Sequence, residues 1–245
     1  MLLETQILIG VLLTSTISGV IGMGGGLILM GLYSFLLPVQ PAMILHGVTQ
    51  LSSNGSRAYL HREHIQWNIL APYFLGALIL FTFLRYFAFV PSKSFLLISL
   101  GSFTFISLVP TIANKLDILK KYRAFLCGAM VTVAQILAGA SGGVLDVFYV
   151  SSSLDKHKVI ASKAMTQSVG HSTKLIYYIS LAFAGNGFHS HLKWWVYPGV
   201  VITAFIGTRI GKTLLDHLSE KNFRTYSKIL ILIIGVLLVI RGLSV

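Results

Sequence analysis

The sequence predicts an all-α polytopic membrane protein built from two inverted repeats. Hydrophobic residues make up 55% of the 245 residues, charged residues only 11%, and the mean hydropathy is +0.80, far outside the range of soluble globular proteins. The longest uncharged segment runs from Thr5 to Ser56, well beyond the roughly 20 residues that a helix needs to cross a bilayer. Glycine clusters interrupt apolar runs at two places, 22–26 and 139–143, which divides the chain into two comparable halves.

Apolar runs and breakers predict five helical segments in each half. In the first half they lie near 5–21, 25–37, 41–60, 66–88 and 93–113, and in the second near 123–138, 143–153, 158–184, 192–213 and 226–243. Segments 25–37 and 143–153 reach only about 20 Å and about 17 Å as helix, so each is a re-entrant half-helix or one arm of a broken span. Each repeat therefore combines one glycine-interrupted helix with about three full transmembrane helices. The predicted units are a first repeat at 1–114, a basic linker at 115–123 and a second repeat at 124–245.

The charge of the loops favours a chain that reverses at each glycine cluster. With reversal, most basic loops fall on one side, namely those with Arg57 and Arg62, with 115–123, with Lys156 and Lys158, and with 212–228. Without reversal they divide between both sides, and the positive-inside bias largely disappears. Reversal gives each half an odd number of crossings, which inverts the second repeat. We therefore expect most basic loops in the cytoplasm and both termini outside.

Matching residues in the two halves support a duplication. Thr49-Gln50 follows the first glycine cluster as Thr166-Gln167 follows the second, and Arg57 corresponds to Lys174 without a gap. His64-x-x-Trp67 recurs later as His191-x-x-Trp194. Paired interruptions in corresponding parts of two inverted halves are the best sequence indication of a transporter site between them.

The composition also excludes several classes of site and partner. The formal charge of +12 belongs to short loops between spans, where basic residues set orientation and meet anionic lipid, so nucleic acid is not an expected partner. Cys127 is the only cysteine, which excludes an intrachain disulfide and a cysteine metal cage. No metal-ligand set or cofactor motif is visible. Met1-Leu-Leu-Glu4 lacks the basic region of a secretory signal, so we expect the first span to be retained.

The glycine clusters are candidates for binding an anion. Gly24, Gly25 and Gly26 are consecutive, and three glycines in a helix interior would cost about 1 kcal/mol each relative to alanine. An opened turn presents free backbone N–H groups at the start of the next helix, where the helix dipole also favours negative charge. Ser141 adds a hydroxyl beside Gly142 and Gly143 in the second copy. The alternative is close packing of helices through small residues.

A polar helix follows each cluster. The first carries Thr49, Ser53, Ser56 and Arg57 at helical spacing, with Gln50 and Asn54 beside them, and the second carries Thr166, Gly170, Thr173 and Lys174, with Gln167 and His171 adjacent. Polar groups at membrane depth usually face a bundle interior or an aqueous cavity. Hydrogen bonding between helices is the alternative role.

Basic residues near the clusters predict an anionic substrate. Arg57 and Lys174 lie at the edges of spans, so snorkelling to the interface is an equally weighted alternative for them. Lys163 and His46 occupy corresponding positions of the two polar helices. Asp146 is the obvious counter-charge, either paired with Lys163 or Lys174 or able to take up a proton for coupling.

These motifs resemble a known family. Gly19-x-x-Gly22-x-Gly24-Gly25-Gly26, the polar helix with Thr49-Gln50 and Asn54, and the weaker second copy are similar to the TauE/SafE sulfite exporters, also called the 4-toluene sulfonate uptake permease family. The resemblance implies an inner-membrane secondary carrier of small sulfur-containing anions such as sulfite, thiosulfate, sulfoacetate or other organosulfonates. It places the substrate between the two glycine loops and the two Thr-Gln helices. Coupling to protons or sodium and a homodimeric state both stay open.

Two other functions compete with the carrier. Gly139-x-Ser141-Gly142 has the local form of a rhomboid protease nucleophile motif, with His171 on a later helix as a base. That reading does not explain why the first copy has Gly24 at the nucleophile position and still keeps Thr49-Gln50. An anion channel is the other alternative.

Overall fold

The computed structural model describes residues 2–21, 24–88, 90–106, 115–149, 152–184 and 192–244, and within them the regular structure is entirely helical. The α-helices in chain order are α1 (Leu2–Ile21), α2 (Gly25–Leu36), α3 (Val39–Leu60), α4 (Trp67–Phe87), α5 (Lys93–Ile106), α6 (Arg123–Leu137), α7 (Gly142–Tyr149), α8 (Lys156–Ala184), α9 (Val196–Asp216) and α10 (Glu220–Leu243). A 3-10 turn, Arg62–His64, connects α3 to the loop before α4.

The all-helical part of the predicted fold class is confirmed for these residues. The described helix boundaries agree with the predicted spans to within about four residues, except that α10 begins at Glu220 rather than at 226. The two short segments are α2 with 12 residues and α7 with 8. The predicted continuation of α5 to 113, the start of the first glycine cluster at Gly22, and His191 lie outside the described residues. Two helices, Leu2–Val20 within α1 and Trp67–Phe87, are long and apolar enough to cross a membrane by length and composition alone. The other long helices carry the polar and charged residues considered below.

The chain turns back at both glycine segments. Gly24 and Gly139 adopt φ of 80° and 79°, a conformation that glycine reaches without steric cost. After the first turn, α2 runs back along α1, since a Cβ on Gly25 would lie 2.1 Å from the carbonyl oxygen of Thr14 and one on Gly10 would meet Leu32. After the second, the end of α7 returns to the start of α6, where the Ile118 N–H donates to the carbonyl of Phe148 at 2.8 Å.

The most extensive helix contacts join the two halves of the chain. The pairs are α1 with α9, α3 with α8, α4 with α6 and α5 with α10. Glycines permit these close approaches, because a Cβ on Gly76 would lie 2.1 Å from the Phe125 oxygen and one on Gly128 would lie 1.9 Å from the Tyr73 oxygen. Helices α3 and α8 run antiparallel, with His46 against Lys174 near one end and Ala58 clustered with Ala161 near the other.

Hydrogen bonds bring the basic segments to one end of the bundle. Lys156 Nζ donates to the Leu218 oxygen at 2.7 Å, and Lys212 Nζ lies 3.5 Å from the Leu60 oxygen. The last turns of α3 and α9 and the first turn of α8 therefore meet there, and we call this the basic end. At the opposite end, Ser94 Oγ donates to the carbonyl of Gly242 at 2.6 Å.

Candidate functional site

A small closed cavity lies between the two glycine segments. Its volume is about 10 Å³, which is about the room that one water molecule needs. The lining residues come from both halves and are Ser18, Gly24, Gly26, Leu27 and Gln50 from the first, and Ala140, Ser141, Gly142, Gln167 and His171 from the second. The structure thus brings together seven of the predicted site residues around one occluded space.

The first half presents an amide donor to this cavity. Gln50 is buried, its Nε2 has no hydrogen-bond partner, and its Oε1 accepts from Asn54 Nδ2 at 3.2 Å. Gly26 lies directly against this amide, since a Cβ there would come within 3.2 Å of Oε1. An unpartnered buried donor costs about 1–3 kcal/mol, so a ligand that accepts from Gln50 would recover that free energy.

The second half presents a hydroxyl and an imidazole. Ser141 is 2% exposed, and its Oγ makes no hydrogen bond. The His171 ring nitrogens lie 3.3 and 3.4 Å from Gln135 Nε2. Ser141 and His171 therefore share the cavity without the hydrogen bond that joins a serine nucleophile to its base.

Both short helices begin at the cavity. Gly24 precedes α2 without a side-chain cap, and Gly142 is the first residue of α7. The first N–H groups of a helix have no acceptor within it, and the helix dipole adds partial positive charge there. Together with the donors of Gln50 and Ser141, these two starts form a site suited to an anion.

Arg57 supplies an unpaired positive charge next to the cavity. Its side chain is 1% exposed, so the snorkelling alternative is wrong for this residue. Nη2 donates to Ser18 Oγ at 3.0 Å and lies 3.5 Å from Ser53 Oγ, while Nε and Nη1 have no partner. No carboxylate of the described residues pairs with the guanidinium. Because an uncompensated buried charge costs several kcal/mol, this position favours an anionic ligand near Ser18.

Lys174 is also fully buried, which excludes snorkelling, but its ammonium group already has hydrogen-bond partners. Nζ donates to the carbonyl of Gly139 at 2.6 Å and to His46 Nδ1 at 2.6 Å. Since an ammonium group can only donate, Nδ1 is the acceptor and His46 Nε2 carries the hydrogen that it donates to the Gly26 carbonyl at 2.8 Å. This chain of hydrogen bonds connects the two glycine segments.

Asp146 and Lys163 form a buried ion pair away from the cavity lining. Lys163 Nζ donates to Asp146 Oδ1, and Asp146 Oδ2 has no partner. Of the two partners considered for Asp146, the structure places Lys163 against it. Val144, Leu145 and Phe148 on α7 belong to the apolar cluster in this part of the bundle.

The remaining predicted site residues lie nearby but face other groups. Thr49 Oγ1 bonds with Tyr33 Oη at 3.1 Å and with the Leu45 carbonyl, and Thr166 Oγ1 donates to carbonyls of its own helix. Ser53 Oγ bonds with Thr208 Oγ1 at 3.0 Å. Gly25 packs against α1, and Gly143 is buried in the first turn of α7. The glutamines of the Thr-Gln pairs, rather than the threonines, line the cavity.

Sequence reasoning missed Ser18 and Gln135, the groups that contact Arg57 and His171. Each lies four residues before a glycine cluster. This shared position relative to the glycine clusters could have identified both residues in the sequence. No group of three or more His, Cys, Asp or Glu that could hold a metal ion occurs in the described part of the chain.

A family model for the sulfite exporters TauE/SafE matches residues 7–238. Comparison with curated proteins gives no match, and comparison with solved structures gives none either. The family match covers both glycine segments, both polar helices and nearly the whole chain, and it agrees with the resemblance seen in the motifs. The chain belongs to the TauE/SafE sulfite exporter family of membrane transporters.

Proposed function

We propose that the protein is a secondary transporter, working as an exporter, of small sulfur-containing anions such as sulfite, thiosulfate, sulfoacetate or other organosulfonates. The substrate binds between the two glycine segments and is exposed alternately to each side of the inner membrane. The family itself supports transport of a sulfur anion, and the cavity supports the position of the site.

The observation that carries this proposal is one cavity shared by both glycine segments and surrounded by unsatisfied donors. Gln50 Nε2 and Ser141 Oγ have no partner there, and the unpaired Arg57 is connected to the lining through Ser18. A sulfonate or sulfite oxygen would satisfy such donors, since hydrogen bonds to an ionised acceptor are stronger than neutral ones. The small volume corresponds to an occluded state that must widen to admit the anion.

Two inverted repeats, at 1–114 and 124–245 with a linker at 115–123, would provide the alternating movement. Corresponding helices make corresponding contacts, because α1 packs on α9 as α6 packs on α4. The glycine-interrupted helices are re-entrant in this proposal, with the basic end in the cytoplasm and both termini outside. Movement of one repeat against the other would require the Lys174–His46 connection between the glycine segments to open.

Anion flux into reconstituted vesicles tests the site. Gln50→Ala and Gln167→Ala should each lower sulfite or sulfoacetate flux about tenfold, because each removes one hydrogen bond to a charged ligand. Gln6→Ala, which removes an exposed glutamine of α1, is the matched control and should leave flux unchanged. Unchanged flux in both cavity variants would place the site elsewhere.

A thermal-shift screen of the purified protein tests the ligand class separately. Sulfite, thiosulfate, sulfoacetate, taurine and sulfate would be compared at equal ionic strength. Stabilisation by a sulfur oxyanion that is lost in Gln50→Ala is the expected result, since ligand binding to the folded state raises its stability.

A further inference from the structure

A second, larger pocket lies at the basic end of the bundle. Its volume is about 430 Å³, and its walls are the end of α3, the 3-10 turn, the start of α8 and the last turns of α9. Arg62 and Glu63 at its rim are exposed. Unlike the occluded cavity, this pocket has room for a small hydrated anion.

Three histidines meet in this pocket. The ring centroids of His61 and His157 are 5.8 Å apart, and those of His64 and His157 are 5.3 Å apart. His61 is 3% exposed, and its Nε2 has no hydrogen-bond partner. An unpartnered nitrogen in a buried ring beside a cavity of this size points to a ligand.

The pocket contains charged groups of both signs, Arg62 and Lys212 with Glu63 and Asp216. Burial lowers the pKa of His61 to about 4, with Lys212 and His157 contributing, so His61 is a neutral hydrogen-bonding group at physiological pH. Arg57, one helical turn before His61, is a buried cation with no carboxylate partner among the described residues. An anion in the pocket would therefore lie close to an uncompensated positive charge.

A polar stripe connects this pocket to the cavity. His61, Arg57, Asn54, Gln50 and His46 follow one face of α3 at spacings of three or four residues, and all are buried. The stripe spans about 22 Å at the rise of an α-helix. Arg57 lies one turn from His61, whose N–H donates to the Arg57 carbonyl at 3.1 Å, and the Arg57 guanidinium contacts Ser18 of the cavity lining.

The corresponding stripe on α8 has no such opening among the described residues. It runs through Lys163, Gln167, His171 and Lys174 to Tyr178, the counterpart of His61 in the repeat register. Tyr178 is fully buried and donates to the Ile136 carbonyl at 2.7 Å, and Tyr177 packs edge-on against it. Among the described residues, the pocket thus lies at the end of the α3 stripe, whereas the buried Tyr178 occupies the corresponding position of the α8 stripe.

We propose that the pocket at His61, His64 and His157 is a second, outer anion-binding site, from which a sulfur oxyanion or sulfonate passes along α3 through Arg57 to the glycine cavity. This inference rests on the proposed transport function. It adds a binding site and a route of access to that function.

Two cysteine-directed reagents of opposite charge test the outer site. Leu60 lines the pocket, and Leu60→Cys would be placed in a Cys127→Ala background, which removes the only native cysteine. The rates of modification by an anionic sulfonatoethyl and a cationic trimethylammonioethyl methanethiosulfonate are measured at one pH and constant ionic strength, with and without sulfoacetate. Their ratio cancels the thiolate fraction, so it reports the local charge.

Sulfoacetate should slow both reagents at Leu60→Cys, because an occupied pocket covers the thiol, and its bound negative charge should slow the anionic reagent about tenfold. Asn68→Cys is the matched control, because Asn68 lines another basic pocket, with Lys120 and Lys121, whose lining contains no histidine. There sulfoacetate should change neither rate, and His61→Gln should remove the protection at Leu60→Cys.

Rates at Leu60→Cys that sulfoacetate leaves unchanged, or slows no more than at Asn68→Cys, would overturn the outer site even if vesicle flux is normal. Protection at Leu60→Cys without flux of any sulfur anion would instead refute the transport function. The protection is measured without any histidine substitution, so a histidine variant that fails to fold does not prevent the decision.

Discussion

Helices α3 and α8 each follow a glycine segment and each carry a buried cation, but the two cations have different partners. Arg57 on α3 leaves Nε and Nη1 without partners, whereas Lys174 on α8 bonds both Gly139 and His46. Both side chains are almost completely buried. The difference supports the proposal that Arg57 attracts the ligand, whereas Lys174 connects the two glycine segments by hydrogen bonds.

A second difference concerns the positions of Asp146 and Lys163. Their counterparts in the first half are Leu29 and His46, so the buried ion pair exists only in the second half. The first half thus contains Arg57, a buried cation without a carboxylate partner, and the second half contains the buried ion pair of Asp146 and Lys163. Each prediction below changes one side of this comparison.

The largest expected effect is that of Asp146→Asn on stability. Removing one partner of a buried ion pair leaves Lys163 charged and uncompensated, which should lower the free energy of unfolding by about 3–5 kcal/mol. Thermal and denaturant unfolding in detergent would measure it.

The control is the double change Asp146→Leu with Lys163→Met, which places in the second half the leucine found at Leu29. Replacing both members of a buried pair by apolar side chains is close to neutral, so stability should return. If the double variant folds and transports with unchanged dependence on proton and sodium gradients, the pair has no part in coupling.

Arg57→Met should separate function from stability. The substitution removes a buried charge without a carboxylate partner, so unfolding should become more difficult by about 1–3 kcal/mol, while anion flux falls about a hundredfold because the attractive charge is lost. Vesicle flux and the midpoint of thermal unfolding are measured on the same preparation.

The matched substitution on the other helix is Lys174→Met. It leaves the Gly139 carbonyl and His46 Nδ1 without a donor, so stability should fall by about 1–3 kcal/mol. Flux should fall less than in Arg57→Met. If the two variants change stability in the same direction, the distinction between a ligand-directed and a structural cation is wrong.

Much of the fold was predictable because it depends on local features. The apolar runs and glycine breaks determine where helices begin and end, and the short α2 and α7 follow directly from Gly24 and from the segment at 139–143. The Thr-Gln pairs correctly indicated the polar helices. Their threonine hydroxyls, however, bond back to helix carbonyls, a choice that depends on rotamers rather than on spacing.

The partners of the buried charges could not be read from the sequence. Arg57 and Lys174 occupy the same register position, and only the packing of α8 against His46 and the second glycine turn distinguishes them. The pocket at His61 was equally hidden, because it joins the ends of three helices that are distant in the sequence. Such contacts between segments arise from tertiary structure alone.

Ser141→Ala should have the smallest effect, and it decides between the carrier and a serine protease. Ser141 Oγ has no hydrogen-bond partner, and His171 faces Gln135, so alanine removes only one prospective donor to the anion. We expect flux to fall no more than about fivefold, the equivalent of about 1 kcal/mol.

A protease would lose its activity completely with its nucleophile, and the unchanged protein would react with a fluorophosphonate at Ser141. The counterpart of Ser141 in the first half is Gly24, so a carrier with a duplicated site would lack this hydroxyl in one of the two copies. Covalent labelling of Ser141 together with complete loss of function in the alanine variant would contradict the symmetry on which the proposed site depends.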